Sequence, residues 1–416
     1  MQMGVARGRQ LWVMPSRGTS ADGHDTVTSS VRAGLAVPFS RIGAFPGASG
    51  GSQSGLVLRW LQLTPLARGG RMGVVASRPA VAWIGATLTG RVEMRYRTFG
   101  RTGWRVGEVG YGMWGMGGWS GSDDTESLGS LELAATKGVD FFDTAQAYGD
   151  GHSERLLARL VAGKPEKRIY TATKVPPKNR KWPSRPDAPL AEVFPRDYVR
   201  EYVGISRTNL GVDTIDLLQL HVWEDTWLAD GELARTVDEL KHEGSIRAFG
   251  LSLNRWQPWN GVAAVRSGLV DSVQVIYNIF DQAPEDELFP ACRENGVAVI
   301  ARVPLDEGSL TGTLTLESIW PAEDWRSTYF VLENLKASVA HADALKSLVP
   351  AGMTMAEMAL RFILSNPDVS TVIPGMRRSR HVEANTAASD AGPLPPDLLA
   401  ELRRHRWDRQ PTRWSQ

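Results

Sequence analysis

DFFDTA (residues 140–145), IYTATKV (169–175) and IDLLQLH (215–221) decide how this chain is read. Each is a short, largely apolar and β-rich run that ends close to a polar or ionisable side chain. Such runs fit strands buried on both faces, as in a parallel sheet covered by helices. Working outward, VGYGM (109–113) precedes them, and IRAFGLS (246–252), SVQVIYN (272–278), VAVIARV (297–303) and STVIPG (370–375) follow. Helical patterns separate the runs. In residues 123–137, for instance, Leu128, Leu131 and Ala135 share one face and Gly138 supplies the stop. Eight strands alternating with helices predict an α/β fold of the closed (β/α)8 type, a TIM barrel, rather than an open sheet. Just upstream, GRTGWRV (100–106) places turn-forming Gly103 between β-type flanks and predicts a hairpin capping the barrel's N-terminal end.

Composition agrees with a large globular core: 42% of the 416 residues are hydrophobic and 22% charged. A formal net charge of +1 gives no electrostatic reason to expect nucleic acid as a partner. The one cysteine, Cys292, cannot form an internal disulfide and offers no paired metal site, so a reducing cytoplasm is the expected compartment. Cys292 itself reads as a small buried apolar residue. Residues 1–93 differ sharply from the rest, with ten Arg, no Lys and three acids, whereas residues 94–416 carry a net −6. They show no sustained period of 2 or 3.6 and are expected to be disordered. A transit peptide fits their composition but not their length. A membrane anchor is disfavoured because Arg78 and Pro79 break the most apolar stretch. The favoured reading is a misassigned start, with Met94 as the true first residue and 94–416 as a single barrel.

In a barrel of this kind chemistry gathers at the C-terminal strand ends. The polar residues there are Asp143, Lys174, His221, Ser252, Gln274, Asn278 and Arg302, with Tyr148 in the loop that follows Asp143. Charged residues inside apolar parallel strands are costly unless paired, and Asp143 and Lys174, on neighbouring strands, can pair. A tyrosine with an unperturbed pKa near 10 needs a neighbouring cation to become a useful acid. Lys174 would supply it, Asp143 would keep Lys174 charged, and His221 would orient a carbonyl oxygen. Together these groups suit general-acid carbonyl reduction. Trp114, Trp119, Trp223 and Trp227, in loops after the first and fourth strands, and Trp320 and Trp325 after the seventh, would line the mouth. Trp114 and Trp223 are the favoured substrate-pocket residues. The proline-rich, basic segment from Pro176 is expected to reshape the rim.

DFFDTAQAYG, TATK and QLH, in this order and spacing, resemble the aldo-keto reductases from about Tyr96 to Asn385. The resemblance implies catalytic roles for Asp143, Tyr148, Lys174 and His221 and a nicotinamide cofactor bound without a GxGxxG turn. It also implies cofactor contacts from Ser252, Gln274 and, one position after the family's usual Asn, Asn254; Leu253 stands at the usual position. Arg302 falls where a residue normally lies against the nicotinamide ring. VIPGMRRSRHVEAN (372–385) resembles the family's phosphate-binding segment, implying roles for Gly375, Arg377 and Asn385, with Ala384 where an acid is usual. An arginine fork favours NADPH over NADH. The expected substrate is a small carbonyl compound, with no metal and no membrane partner, and oligomeric state is left open. Two rival readings are a nicotinamide-binding regulatory or sensor subunit with little turnover, and a Schiff-base lyase using Lys174 as nucleophile.

Overall fold

The computed structural model describes residues 94–119 and 121–412; the expectations for residues 1–93 lie outside them. Strands β1 (Tyr96–Phe99) and β2 (Trp104–Gly107) form the expected antiparallel hairpin, with Tyr96 opposite Gly107 and Phe99 opposite Trp104. Gly103 turns it at a φ of 70°, in the left-handed region that glycine enters without penalty. Eight parallel strands follow: β3 (Tyr111–Gly112), β4 (Phe141–Asp143), β5 (Tyr170–Val175), β6 (Ile215–Leu220), β7 (Ile246–Ser252), β8 (Ser272–Ile276), β9 (Ala298–Arg302) and β10 (Val369–Val372). Each pairs with its sequence neighbour, and bridges from Val109 to Val372 and from Gly112 to Gly375 join the first to the last. At that closure a Cβ on Gly112 would stand 2.5 Å from the Ile373 carbonyl oxygen, so only glycine fits.

The two faces of the strands build two cores. Phe141, Ala172, Leu217, Ala248, Ala298 and Ile300 point inward and pack with Phe99 and Val106 of the hairpin, which thus plugs the bottom of the barrel. Trp104 stacks on Phe99 and on Tyr170, with ring centroids 5.6 and 5.1 Å apart. The outward residues, among them Phe142, Leu218, Leu220, Phe249, Val273 and Val299, pack in the larger layer beneath the surrounding helices.

Side chains two apart on a strand share a face. The inward rows therefore continue upward from Phe141 to Asp143, from Ala172 to Lys174, from Leu217 to Gln219 and His221, and from Ile300 to Arg302. An apolar floor changes to a polar layer within one pleat. Gly250 leaves room for that layer, because a Cβ there would meet the Ser272 hydroxyl at 2.3 Å. Among the described residues no helix is long and apolar enough to cross a membrane.

Candidate active site

Asp143 and Lys174 end the inward rows of adjacent strands and are 2% and 0% exposed. Their charged atoms, Oδ2 and Nζ, are 2.5 Å apart, and Lys174 Nζ also donates to the Thr144 carbonyl at 2.8 Å. Asp143 Oδ1 accepts from the amides of Gln219 at 3.0 Å and Gln274 at 2.8 Å. The carboxylate thus has partners on both oxygens, which is what makes a fully buried pair tolerable. Lys174 is enclosed and committed, so it is poorly placed to act as the nucleophile of a lyase.

Tyr148 reaches this pair through its loop. Residues 149–151, Gly-Asp-Gly, all take positive φ (66°, 54° and 77°) before the helix His152–Gly163 begins. Gly149 lies so close to the loop after β3 that a Cβ would fall 2.2 Å from the Gly117 carbonyl oxygen. This tight turn carries the tyrosine over the strand ends, with Lys174 Nζ 5.1 Å from its ring centroid. His221 faces it edge-on at 5.7 Å. The four residues expected to act together are therefore brought together.

Their electrostatics differ from the expectation in one respect. Burial holds the Tyr148 phenol above its ordinary value of 10.0, and the Lys174 cation, the strongest opposing influence, does not overcome it. The phenol keeps its proton at neutral pH, as a proton donor must. Burial also holds His221 well below 6.5, assisted by the cations of Lys174 and Arg302. The imidazole is neutral, and its Nδ1 is buried with no hydrogen-bond partner.

The mouth is aromatic, but not as the sequence suggested. Trp119 meets Tyr148 edge-on at 6.3 Å, Trp114 packs on Trp119 at 5.3 Å, and Trp325, from the segment after β9, closes on Trp114 at 5.8 Å. Trp114 is 42% exposed and stays a pocket candidate. Trp223 does not: it is 1% exposed, bonds Asp225 through its indole nitrogen and packs on Trp227. Its loop buries it because the indole finds its acceptor two residues along the chain. Trp320 stacks on Phe330, in the cluster against which Trp325 also packs. Trp182, which sequence reasoning missed, stands 5.8 Å from His221, edge to face. It lies in the segment after Pro176, which Ser184 fastens to Glu224 at 2.6 Å and to the Trp223 carbonyl at 2.9 Å. Aromatic content in that segment was the available signal.

The residues linked with a cofactor fall into two groups. Ser252 ends β7 opposite Gln274. Gln274 spends its amide nitrogen on Asp143 and on Gln219 at 3.2 Å, and Asn254 uses its side-chain oxygen to cap the Trp256 amide at 3.0 Å. The first is thereby part of the buried polar layer around Asp143 and the second part of a local turn. Arg302 closes β9 and donates from Nη2 to the Leu253 carbonyl at 3.0 Å. Asn278 caps the amides of Phe280 and Asp281. The second group follows β10, the neighbour of β9: Gly375 comes just after the strand, Arg377, Arg378 and Arg380 surround the start of the helix Ser379–Ala391, and Asn385 is buried within it. Arg377 Nη1 donates to the Gly115 carbonyl at 3.4 Å.

These features fit a dinucleotide. Gly375 is exposed with open space where a Cβ would stand, beside a basic helix N-terminus suited to phosphate. Unpartnered buried polar atoms of His221, Arg302 and Trp119 lie at the other end, around Tyr148. Among the described residues no group of three or more acidic, His or Cys side chains could hold a metal.

Comparison with known proteins agrees with this geometry. The profile of the aldo/keto reductase family matches residues 108–406. The chain is similar to the NADH-specific methylglyoxal reductase of Escherichia coli, 29% identical over 71% of this chain and 93% of that one. It is similar to a probable voltage-gated potassium channel subunit beta of Arabidopsis thaliana, 28% identical over 72% of this chain and 93% of that one. A solved aldo-keto reductase from Bacillus halodurans superposes with a TM-score of 0.61 at 26% identity, covering 77% of this chain and 99% of that one. On the matched profile, the closed barrel and the residues gathered at its mouth, the chain belongs to the aldo/keto reductase family.

Proposed function

We propose that the protein reduces aldehydes or ketones to alcohols with NADPH, using Tyr148 as general acid. The observation that carries this reading is the protonated phenol seated over a buried, fully partnered Asp143–Lys174 pair and facing a neutral imidazole. When bound, the reduced nicotinamide supplies a hydride. The chain's own residues do the rest. His221, neutral and with an unused ring nitrogen, orients the carbonyl oxygen toward the phenol. Tyr148 transfers its proton to that oxygen as negative charge develops, and the Lys174 ammonium stabilises the phenolate left behind. Asp143, held by Gln219 and Gln274, keeps the ammonium charged and fixed. Trp119, Trp114 and Trp182 exclude water from the mouth.

Ser252 and Arg302 would flank the nicotinamide end, while Gly375, Arg377 and Asn385 would hold the adenosine phosphate end. Three arginines in the span 377–380 favour the extra phosphate of NADPH. Residues 94–416 would act as one catalytic unit in the cytoplasm. The deciding experiment is Tyr148→Phe: NADPH-dependent turnover of an aldehyde panel should fall by roughly 100-fold or more, while NADPH binding, read by tryptophan quenching, stays close to wild type. Full turnover by the variant refutes the assignment.

A second reading rests on the similarity to a potassium channel beta subunit, which favours a nicotinamide-binding regulatory role. A regulator would bind NADPH yet consume it negligibly across the panel.

A further inference from the structure

Residues 180–187 form a charged, proline-rich stretch of the segment after β5, and all but two of them are exposed: Trp182 is half-buried and Ser184 is buried. Two positions apart, these two turn inward together. Trp182 meets the His221 imidazole edge to face, with ring centroids 5.8 Å apart and an interplanar angle of 84°. Ring pairs touch in this way at centroid separations of about 4.5–7 Å, so no substrate atom fits between the two. The inward turn is held by contacts outside the catalytic group. Ser184 is hydrogen-bonded to Glu224 Oε1 at 2.6 Å and to the Trp223 carbonyl at 2.9 Å. Glu224 is buried, and its Oε2 accepts from the Asn260 amide at 2.8 Å. A buried carboxyl group is costly to leave without donors, so the Ser184 contact holds the segment down. Farther along, the Trp227 indole donates to the Ala188 carbonyl at 2.8 Å. The indole of Trp182 is therefore a tethered wall against His221.

We propose that Trp182 is a specificity-determining residue: it closes the His221 side of the site to the second group on the carbonyl carbon, and the Ser184–Glu224 contact keeps it there. The site then prefers aldehydes, whose second group is a hydrogen, and penalises each carbon added in its place. The proposal rests on the reductase reading and adds which carbonyl compounds the site accepts. In that reading the carbonyl oxygen is shared by Tyr148 and His221, so both groups on the adjacent carbon lie close to these two rings. On the Tyr148 side the row of rings continues through Trp119 to Trp114, which is 42% exposed. A large first group can extend there toward solvent, whereas the second group meets the tethered indole.

The test uses benzaldehyde, acetophenone and propiophenone, which keep the phenyl ring and enlarge only the second group. Ketones are intrinsically less reactive than aldehydes, so the quantity read is the change in a kcat/KM ratio between wild type and variant, from which that difference cancels. In the full-length enzyme, Trp182→Ala should raise the propiophenone-to-benzaldehyde ratio by roughly 10-fold or more, the scale on which a pocket senses a methylene or two. Trp182→Phe should raise it less. Ser184→Ala, which keeps the indole but frees its segment, should move the ratio in the same direction and add little in a Trp182→Ala background, because both changes remove one wall. The KM for NADPH should stay close to wild type throughout. An unchanged ratio in Trp182→Ala overturns the proposal and leaves the reductase reading intact. So does a ratio that rises only together with the KM for NADPH, which would place Trp182 against the cofactor. A wild-type ratio in Ser184→Ala overturns the role given to the Ser184–Glu224 contact. If the wild type reduces none of the three compounds and no member of the aldehyde panel, the reductase reading fails and this proposal fails with it.

Discussion

Removing the ammonium from Lys174 separates what the buried pair does for stability from what it does for chemistry. In Lys174→Met, Asp143 keeps its contacts to Gln219 and Gln274 but loses its counterion at 2.5 Å, in a layer almost closed to solvent. Breaking a buried pair from one side typically costs about 3–5 kcal/mol, because an uncompensated charge is left in a low-dielectric interior. The double variant Asp143→Asn, Lys174→Met removes both charges. The side-chain carbonyl introduced at position 143 can still accept from the two glutamines, so the remaining loss is the unpaired Thr144 carbonyl and imperfect packing, about 1–3 kcal/mol. The double variant should therefore be more stable than Lys174→Met alone by about 2 kcal/mol. Both should be inactive, since neither can stabilise a phenolate. Urea unfolding followed by tryptophan fluorescence gives the stabilities, and NADPH consumption gives the activities. A Lys174→Met variant within about 1 kcal/mol of wild type, or a double variant no more stable than the single, would show that the pair is not the enclosed ion pair described above.

Four further outcomes follow from the same physics. His221 is held well below 6.5 and Tyr148 above 10.0, so kcat/KM for reduction should be flat between those values; a break near 6.5 would mean that the imidazole titrates in the working range. Arg409 bridges Asp281 at 2.6 Å and Asp306 at 2.8 Å, tying the C-terminal residues to the segment after β9, and Arg409→Met should cost about 3 kcal/mol in chemical denaturation. Asp306, with its folded value lowered from 3.8 to about 2 against burial by Arg409 and Arg255, contributes stability that is present above 3.8 and lost as pH falls toward 2; acid unfolding of Arg409→Met should begin at higher pH than in wild type. Cys292 is 1% exposed, with its thiol pushed up to about 12, so native protein at pH 8 should resist a disulfide-exchange reagent and release one thiol only on unfolding.

Much of the architecture was legible along the chain because a strand buried on both faces needs a continuous apolar run, and eight such runs are hard to miss. The hairpin was legible from Gly103 for a similar local reason. The pairing of Asp143 with Lys174 was legible because a lysine or aspartate in such a run demands a partner, and adjacent parallel strands supply one. Trp223 was misjudged because a tryptophan in a loop has no periodicity to indicate which way it turns. The role of Gln219 had no local signal, since an amide in a strand carries no sign of the carboxylate it will meet. The cluster of Arg255, Asp281, Asp306 and Arg409 spans 154 positions between its first and last members and left no local signal at all.

The sequence by itself determined the order of the strands, the closed α/β architecture and the residue types available at the strand ends. These follow from short-range rules: hydrophobic periodicity, turn chemistry and the cost of an unpaired buried charge. Tertiary structure alone decided that Tyr148 stays protonated, that Trp182 rather than Trp223 meets His221, and that Arg302 reaches across β8 with a donor unused. Each of those depends on how much water and which charges surround a side chain, and that is a property of segments far apart in sequence being folded against one another.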